Sequence, residues 1–390
     1  MGGIFKAYDI RGIYGDTLTD DLAYRIGRAF GTFLKPRTVV VGRDIRPHSV
    51  PLFEALARGL TTQGADVIDL GLCSTPMSYH ANGVLGADAS IMITASHNPK
   101  QWNGFKLCRE KAIPISGASG IADVERIAMS GAFDAPAATP GTIRKHDILK
   151  AYGEHVRTAA ALKRPVKIAV DYANAMGIIE AEALRGVIEA DCIFDTLDGS
   201  FPNHEANPLD LETLHALQAK VRGGSYDFGV AYDGDADRAG FVDETGAVIP
   251  MDMITALIAQ SMLQTHKGAA IFYDLRSSWA VKEVIEENGG RPMMSRVGHA
   301  FIKQQMREAD AVFAGELSGH YYFRDNFYAE SSSMAVLYVA NLVSASGKPL
   351  SQMIKPLQRY HASGEINSRV ADTQAVLDRL LKQYPGGKVI

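Results

Sequence analysis

Cysteine is scarce: Cys73, Cys108 and Cys192 are the only three in 390 residues, far apart and without metal-ligand spacing. That excludes a disulfide framework and a thiolate metal cluster, and it fits buried, reduced thiols in a cytoplasmic protein. Long hydrophobic runs are missing too. The longest, Ala335 to Val343, is barely half of the ~18 residues that a membrane span requires. No apolar leader core precedes FKAYDIRG, and Lys6 spoils the myristoylation pattern that Met1-Gly2 opens. Neither sign of charge dominates. With 40 basic and 44 acidic side chains the formal charge is −4, which excludes a surface built to neutralise many phosphates. Nothing here calls for a nucleic acid, a membrane or an obligate protein partner. What remains is an ordinary soluble balance, 46% hydrophobic and 22% charged, long enough for two to four domains at roughly 100–200 residues each.

A recurrence organises the chain. Three times a β-branched apolar run ends in an acidic residue and a polar loop: TVVVGRD (38–44), KIAVDYANAMG (167–177) and AAIFYDLRSS (269–278). Each leads through a helix-like stretch to a second strand with glycine soon after: ADVIDLG (65–71), CIFDTLDG (192–199) and PMMSRVG (292–298). A third strand then opens into a distinctive loop: ASIMITASHNP (89–99), YDFGVAYDGDADR (226–238) and DAVFAGELSGH (310–320). Near-continuous apolar strands alternating with helices predict parallel sheets covered on both faces, and the repetition predicts three α/β domains of one plan, spanning 1–148, 149–250 and 251–362. Ligands of such sheets bind at the carboxyl ends of the strands, so the three loops are expected to face one shared cleft.

The tail departs from this plan. GEINSRV (364–370) reads as a strand, and Asp372 caps a helix whose apolar face is Val376, Leu377, Leu380, Leu381 and Tyr384. Such a piece cannot bury that face alone, so residues 363–390 are expected to be the start of a fourth domain, cut short.

The loops carry the chemistry. In DGDADR, extended backbone puts Asp233, Asp235 and Asp237 on one side, three hard oxygen donors suited to Mg²⁺ or Ca²⁺. Glu244 stands twelfth from Asp233, as in a calcium-binding helix–loop–helix. The required sixth-position glycine is Arg238, however, and the flanks are strands. Magnesium is the better candidate because it leaves coordination places for phosphate oxygens. In TASHNP, Ser96 ends a hydrophobic strand beside His97, as a nucleophile, a phosphate acceptor or a helix cap; the hydrolase elbow G-x-S-x-G is absent. Lys106, in NGFK, follows on the next strand and can meet an anion. GELSGH sets Glu316, Ser318 and His320 among glycines, either as a clamp for sugar hydroxyls or as an ordinary turn. Arg11, Arg238 and Arg276 stand at loop positions suited to phosphate, Arg43 and Arg296 read as surface arginines, and His299 as a core, capping or site residue.

Together these motifs resemble the α-D-phosphohexomutase family, in its bacterial phosphomannomutase/phosphoglucomutase branch. The resemblance runs in order from KAYDIRG (6–12) through GRDIRPHS (42–49), TASHNPKQWNGFK (94–106), DGDADR, SRVGHAFIK (295–303) and GELSGHYYFRDNFYAESS (315–332) to GEINSRV. It implies four domains around a cleft, the first three alike. It implies that Ser96 is the phosphoserine that carries the transferable group. Asp233, Asp235 and Asp237 would hold Mg²⁺ with a Ser96 oxygen, and Glu316 and Ser318 would contact the sugar, with His320 beside them. Tyr8, Arg11, His97, Lys106, Arg238, Arg276 and His299 would line the cleft, with Lys106 and His320 as proton-transfer candidates. The implied reaction moves a phosphoryl group between C1 and C6 of a mannose or glucose phosphate through a hexose 1,6-bisphosphate. Two rivals share these features. Phosphoglucosamine mutase is disfavoured by Leu317, and a sugar-phosphate-binding protein with little catalysis by the intact Ser96 and carboxylates. Glu330-Ser331 departs from the usual Asp-Ser, and the longer side chain is expected to matter little.

The family's fourth domain carries a phosphate-binding loop that this chain does not reach. Each charge-assisted hydrogen bond to that phosphate contributes ~1.5–3 kcal/mol, so the chain as given is expected to bind substrate weakly and turn over poorly. Appending such a segment should raise kcat/KM in a steady-state mutase assay; an unchanged value refutes the expectation.

Overall fold

The computed structural model describes residues 3–361 and 368–386. The first sheet contains β1 (Ile10–Ile13), β2 (Thr38–Arg43), β3 (Asp66–Leu72), β4 (Ala89–Ile93), β5 (Trp102–Arg109) and β6 (Ile143–Lys145), in the order β1-β5-β4-β2-β3-β6. The second contains β7 (Lys167–Asp171), β8 (Glu189–Ile193), β9 (Phe228–Tyr232), β10 (Ala239–Asp243) and β11 (Val248–Ile249), in the order β11-β10-β9-β7-β8. The third contains β12 (Ala270–Asp274), β13 (Arg291–Ser295), β14 (Phe313–Gly315), β15 (Tyr321–Phe323) and β16 (Ala329–Glu330), in the order β13-β12-β14-β15-β16.

The three sheets share one topology. The first strand of each unit lies between the second and the third, all parallel: β3-β2-β4, β8-β7-β9 and β13-β12-β14. Their middle and third strands are apolar and buried throughout β4, β9 and β12, as two-sided coverage requires. The expectation of wholly parallel sheets is corrected at the next strand. β5, β10 and β15 each return antiparallel beside the third strand. The reason is loop length. Residues 94–101, 233–238 and 316–320 are too few for a parallel crossover, which takes about a dozen, but enough to turn the chain back. The chemistry-bearing loops are therefore tight returns at the carboxyl end of a buried strand. A second correction concerns β8, which occupies 189–193 and not 192–199: the strand begins at Glu189, and Phe194, with φ of 53°, turns the chain away at Ile193.

The largest apolar cluster crosses all three units. It joins Met77 and Met92 of the first, Tyr172 and Met176 of the second, and Met334 and Leu337 of the third. Continuous packing of this kind fixes the three sheets relative to one another, because close-packed interiors resist sliding. Among the described residues no helix is long and apolar enough to cross a membrane. In the tail, Asp372 caps the helix Thr373–Gln383 by accepting from the Ala375 amide at 3.0 Å, and no residue of that helix is buried. Of the strand read at 364–370, residues 364–367 lie outside the described residues, and 368–370 form no strand.

β1 reaches the site by a close approach. It pairs with β5 so that Arg11 faces Gly104, and a Cβ on Gly104 would meet the Ile10 carbonyl oxygen at 1.9 Å. Gly104→Ala should push β1 off the sheet edge and cost about 1–3 kcal/mol, seen as a lower melting temperature. An unchanged melting curve would show that β1 yields without loss.

Candidate active site

One cleft of about 520 Å³ opens where the three returns meet. Its walls include Tyr8, Arg11, Ser96, His97 and Lys106 from the first unit, Asp237 and Arg238 from the second, and Arg276, His299, Glu316, Ser318 and His320 from the third. Asp233 and Asp235 lie just behind the wall, both wholly buried. The structure thus gathers every residue singled out in the sequence for chemistry.

The first return is held by arginines. Ser96 is buried and adopts a left-handed backbone, φ 50°, a conformation that costs a non-glycine residue ~1–3 kcal/mol unless its surroundings enforce it. Arg46 enforces it. Its guanidinium donates to the carbonyls of Ser96 at 2.8 Å, Asn98 at 2.6 Å, Pro99 at 2.8 Å and Trp102 at 3.1 Å, while its Nε donates to Asp44 at 3.1 Å. Arg11 holds the outer side, donating to Asp9 at 2.8 Å, to the Ala95 carbonyl and to Asn98 Oδ1 at 3.2 Å. With these contacts made, Ser96 Oγ donates to Asp233 Oδ2 at 2.7 Å and lies 3.2 Å from His97 Nδ1. The loops press together at Gly234, where a Cβ would stand 2.3 Å from the Ser96 carbonyl oxygen.

The second return concentrates negative charge. Ligand atoms of Asp233, Asp235 and Asp237 all lie within 4.8 Å of one another, fully buried. Lys106 donates to Asp235 Oδ2 at 2.6 Å and to Asp237 Oδ2. Burial alone would lower the Lys106 pKa, but these two carboxylates outweigh it and raise it. Burial, with the neighbouring carboxylates, pushes Asp233 well above the usual carboxylate range. Asp235 Oδ1 is buried with no hydrogen-bond partner among the described residues, and Asp237 Oδ1 has only His320 Nε2, at 3.5 Å. Unsatisfied buried carboxylate oxygens are costly, and a hard cation satisfies them; the donor set fits Mg²⁺.

The third return joins the second through His320, whose Nδ1 lies 3.0 Å from Glu316 Oε2 and whose Nε2 lies 3.5 Å from Asp237 Oδ1. Burial, the largest influence, opposes its charge, yet Asp237 and Glu316 together outweigh it and raise its pKa to about 9. Arg238 Nε sits 3.2 Å from the same Nε2, a contact that suits only the neutral ring; with carboxylates on both sides, the charged form is the one the site favours. Burial would raise Glu316, but His320 lowers it to about 2, so it faces the cleft ionised. Glu316 also accepts from Tyr322 Oη at 2.8 Å and from the Gly298 amide at 3.2 Å, and Ser318 Oγ lies 2.8 Å from His320 Nδ1. His97 goes the other way, lowered to about 2 by burial and by Arg238 and Arg11.

Tyr8 Oη donates to the Val297 carbonyl at 3.4 Å, and its ring meets His299 edge-on, closing the first unit on the third. Arg276 is anchored on Asp274 at 2.9 Å. Arg43 pairs with Asp69 at 2.6 Å, and Arg296 is exposed and stacks on Phe301. Sequence reasoning missed Arg46, although it stands in the GRDIRPHS motif, and missed Thr75, which donates to Asp235 Oδ2 at 2.5 Å and carries no local signal. The reading of Glu330 needs correction. Its carboxylate is wholly buried, 2.5 Å from Lys303 Nζ and 3.8 Å from His299 Nδ1, with an oxygen close to Asp237 and His320. A side chain so enclosed is part of the wall behind the site.

Comparison with known proteins follows the same three units. Residues 2–135, 149–246 and 250–360 match, respectively, the alpha/beta/alpha domains I, II and III of phosphoglucomutase/phosphomannomutase. A phosphomannomutase of Salmonella montevideo is 42% identical over 387 residues, spanning 96% of this chain and 85% of the relative. One of Escherichia coli is 41% identical over 394 residues, spanning 97% and 86%. The crystal structure of a phosphoglucomutase/phosphomannomutase family protein from Burkholderia thailandensis aligns with a TM-score of 0.86 at 34% identity, over 91% of this chain and 79% of that one.

Because Arg46 organises four carbonyls, lysine cannot replace it. Arg46→Lys should lose at least about 2 kcal/mol of stability and expose the 96–102 return to proteases. Native melting and native protease resistance in that variant would show that the loop holds its own shape.

Proposed function

The chain belongs to the phosphoglucomutase/phosphomannomutase family, whose activity is hexose-phosphate mutation, and we propose that it moves a phosphoryl group between C1 and C6 of mannose or glucose phosphate by way of phosphorylated Ser96. One observation carries this reading. The Ser96 hydroxyl, the three-carboxylate cage and the Glu316–Ser318 pair share a single cleft, although they come from three sheets.

In the forward step the Oγ–P bond of phosphoserine Ser96 breaks as the free hydroxyl oxygen of a hexose monophosphate bonds to phosphorus; the sugar hydroxyl proton leaves to a nearby base and the departing Ser96 Oγ takes up a proton. The product is a hexose 1,6-bisphosphate. It turns within the cleft, the bond between the sugar oxygen and its other phosphorus breaks as Ser96 Oγ bonds to that phosphorus and gives up its proton to a base, and the freed sugar oxygen takes up a proton. Such transfers depend on positioning and on neutralising the equatorial oxygens. Arg238 and Lys106 supply fixed positive charge. Asp233, Asp235 and Asp237, with an oxygen from Ser96, would hold Mg²⁺, which when bound supplies further charge neutralisation. Lys106 and His320, which line the same cleft, are the candidate proton carriers. Glu316, ionised and opening on the cleft, accepts hydrogen bonds from two adjacent sugar hydroxyls. Recognition through O3 and O4 is blind to the epimeric C2, which accounts for acceptance of both glucose and mannose phosphates.

Peptide mapping by mass spectrometry should find one phosphoryl group on Ser96, or place it there after incubation with a hexose 1,6-bisphosphate. A serine that stays bare under both conditions, or a Ser96→Ala variant with undiminished mutase turnover, sinks the reading. Chelation should abolish turnover and Mg²⁺ restore it. Asp235→Asn should cut kcat by about a hundredfold. Rates on mannose, glucose and glucosamine phosphates, measured side by side, identify the preferred sugar.

A further inference from the structure

Glu180 lies outside the cleft, yet it is wholly buried and held by hydroxyls from all three units. Ser74 Oγ donates to its Oε1, while Tyr152 Oη, at 2.9 Å, and Ser333 Oγ donate to its Oε2. No step of the reaction uses it. Its position becomes informative when the chain neighbours of those donors are followed.

Three helix N-termini converge on the DGDADR return. Helix Thr75–Val84 begins beside Ser74, and Thr75 grips the return twice: its amide donates to the Asp235 carbonyl at 3.0 Å and its Oγ1 to Asp235 Oδ2 at 2.5 Å. Helix Ser332–Ser346 begins beside Ser333, and Ser332 Oγ donates to the Ala236 carbonyl at 2.6 Å. Helix Gly177–Leu184, which carries Glu180 in its first turn, follows Met176, whose amide donates to the Gly234 carbonyl at 3.3 Å. Each helix therefore places one residue on the return and one hydroxyl or carboxylate on a shared node. A carboxylate suits that node, because helix N-termini present partial positive charge. Ala236, in the middle of the gripped segment, has φ 60°, a conformation that alanine holds only under such constraint.

We infer that Glu180 is a positioning residue for the carboxylate cage: through Ser74 and Ser333 it sets Thr75 and Ser332 on the DGDADR return, and so fixes Asp235 and Asp237 for cation binding. This rests on the cage being a metal site, as proposed above. Burial raises the Glu180 pKa, and the three hydroxyl donors offset only part of that rise.

Mn²⁺ binding to the intact, unphosphorylated chain, read by electron paramagnetic resonance, tests both levels. Asp235→Asn should lose the site; if it binds Mn²⁺ as wild type does, the cage is not the metal site and the inference falls with it. Glu180→Gln, which preserves shape but not the charge, should weaken Mn²⁺ by about tenfold with a native circular dichroism spectrum. It should lower kcat while leaving KM for the sugar phosphate nearly unchanged. Ser333→Ala deletes one donor only and keeps the test open should Glu180→Gln fail to fold. It should weaken Mn²⁺ binding by itself and add nothing in the Glu180→Gln background. An unchanged Mn²⁺ affinity in folded Glu180→Gln or in Ser333→Ala, whatever the melting temperature, would show a merely structural anchor and overturn the inference.

Discussion

The contact between Ser96 and Asp233 is the joint on which the site depends. A hydroxyl on one sheet and a carboxylate on another meet at 2.7 Å because two tight returns are pressed together, and that closeness is possible only where Gly234 lacks a side chain. Each return is short, so its end points are fixed by the strands that flank it. The strands are fixed in turn by an apolar cluster that ignores the boundaries between units. Site geometry is therefore a property of the whole packed body. A change in inter-unit packing would displace the hydroxyl from the carboxylates even if each sheet survived intact.

Charge explains why so much of the site is held rigidly. Asp233, Asp235, Asp237, Glu316 and Glu330 are all buried within a small region, faced by Lys106, Arg238, Lys303 and His320. Removing so many charges from water is favourable only when partners are aligned, and misalignment would cost several kcal/mol per ion. Lys106 illustrates the consequence, since its ammonium is committed to two carboxylates at once. An array pre-arranged in this way stabilises developing charge without reorganising during the reaction, which is where electrostatic catalysis draws its strength.

Much of this was legible in the sequence, and the omissions have physical causes. The threefold strand–loop recurrence disclosed the repeated unit because buried parallel strands need continuous apolar runs, and the alternating aspartates disclosed the cage because extended backbone puts them on one side. The antiparallel returns were invisible to hydrophobic pattern, since β10 and β15 are as apolar as the strands they follow and β5 is buried from Asn103 to Cys108; loop length was the signal. Arg46 was passed over because an arginine that bonds to carbonyls scattered over 96–102 leaves no trace in local spacing. Glu330 was taken for a minor variation on Asp because the sequence does not show that Lys303 and His299 arrive from a helix to enclose it. The left-handed backbone of Ser96 has no signature either, as it is imposed by the arginines and not chosen by the serine.

The same joint ties the proposed modification to the proposed cation. In the unmodified chain Asp233 Oδ2 accepts a hydrogen bond from the Ser96 hydroxyl. A phosphoryl group on Oγ would remove that donor and bring close to two negative charges beside three carboxylates, of which Asp235 and Asp237 already share Lys106. Arg238, with its Nε 3.9 Å from Asp233, contributes one positive charge against the nearly two negative charges added. Like charges crowded into a buried site cannot all persist unless a further positive charge joins them. Phosphorylation should therefore strengthen cation binding, and by linkage the cation should stabilise the phosphoserine to the same degree. On the proposed reading, a divalent ion held by the three carboxylates would therefore do more than assist transfer: it would favour the phosphorylated form of Ser96 while the cleft holds no sugar.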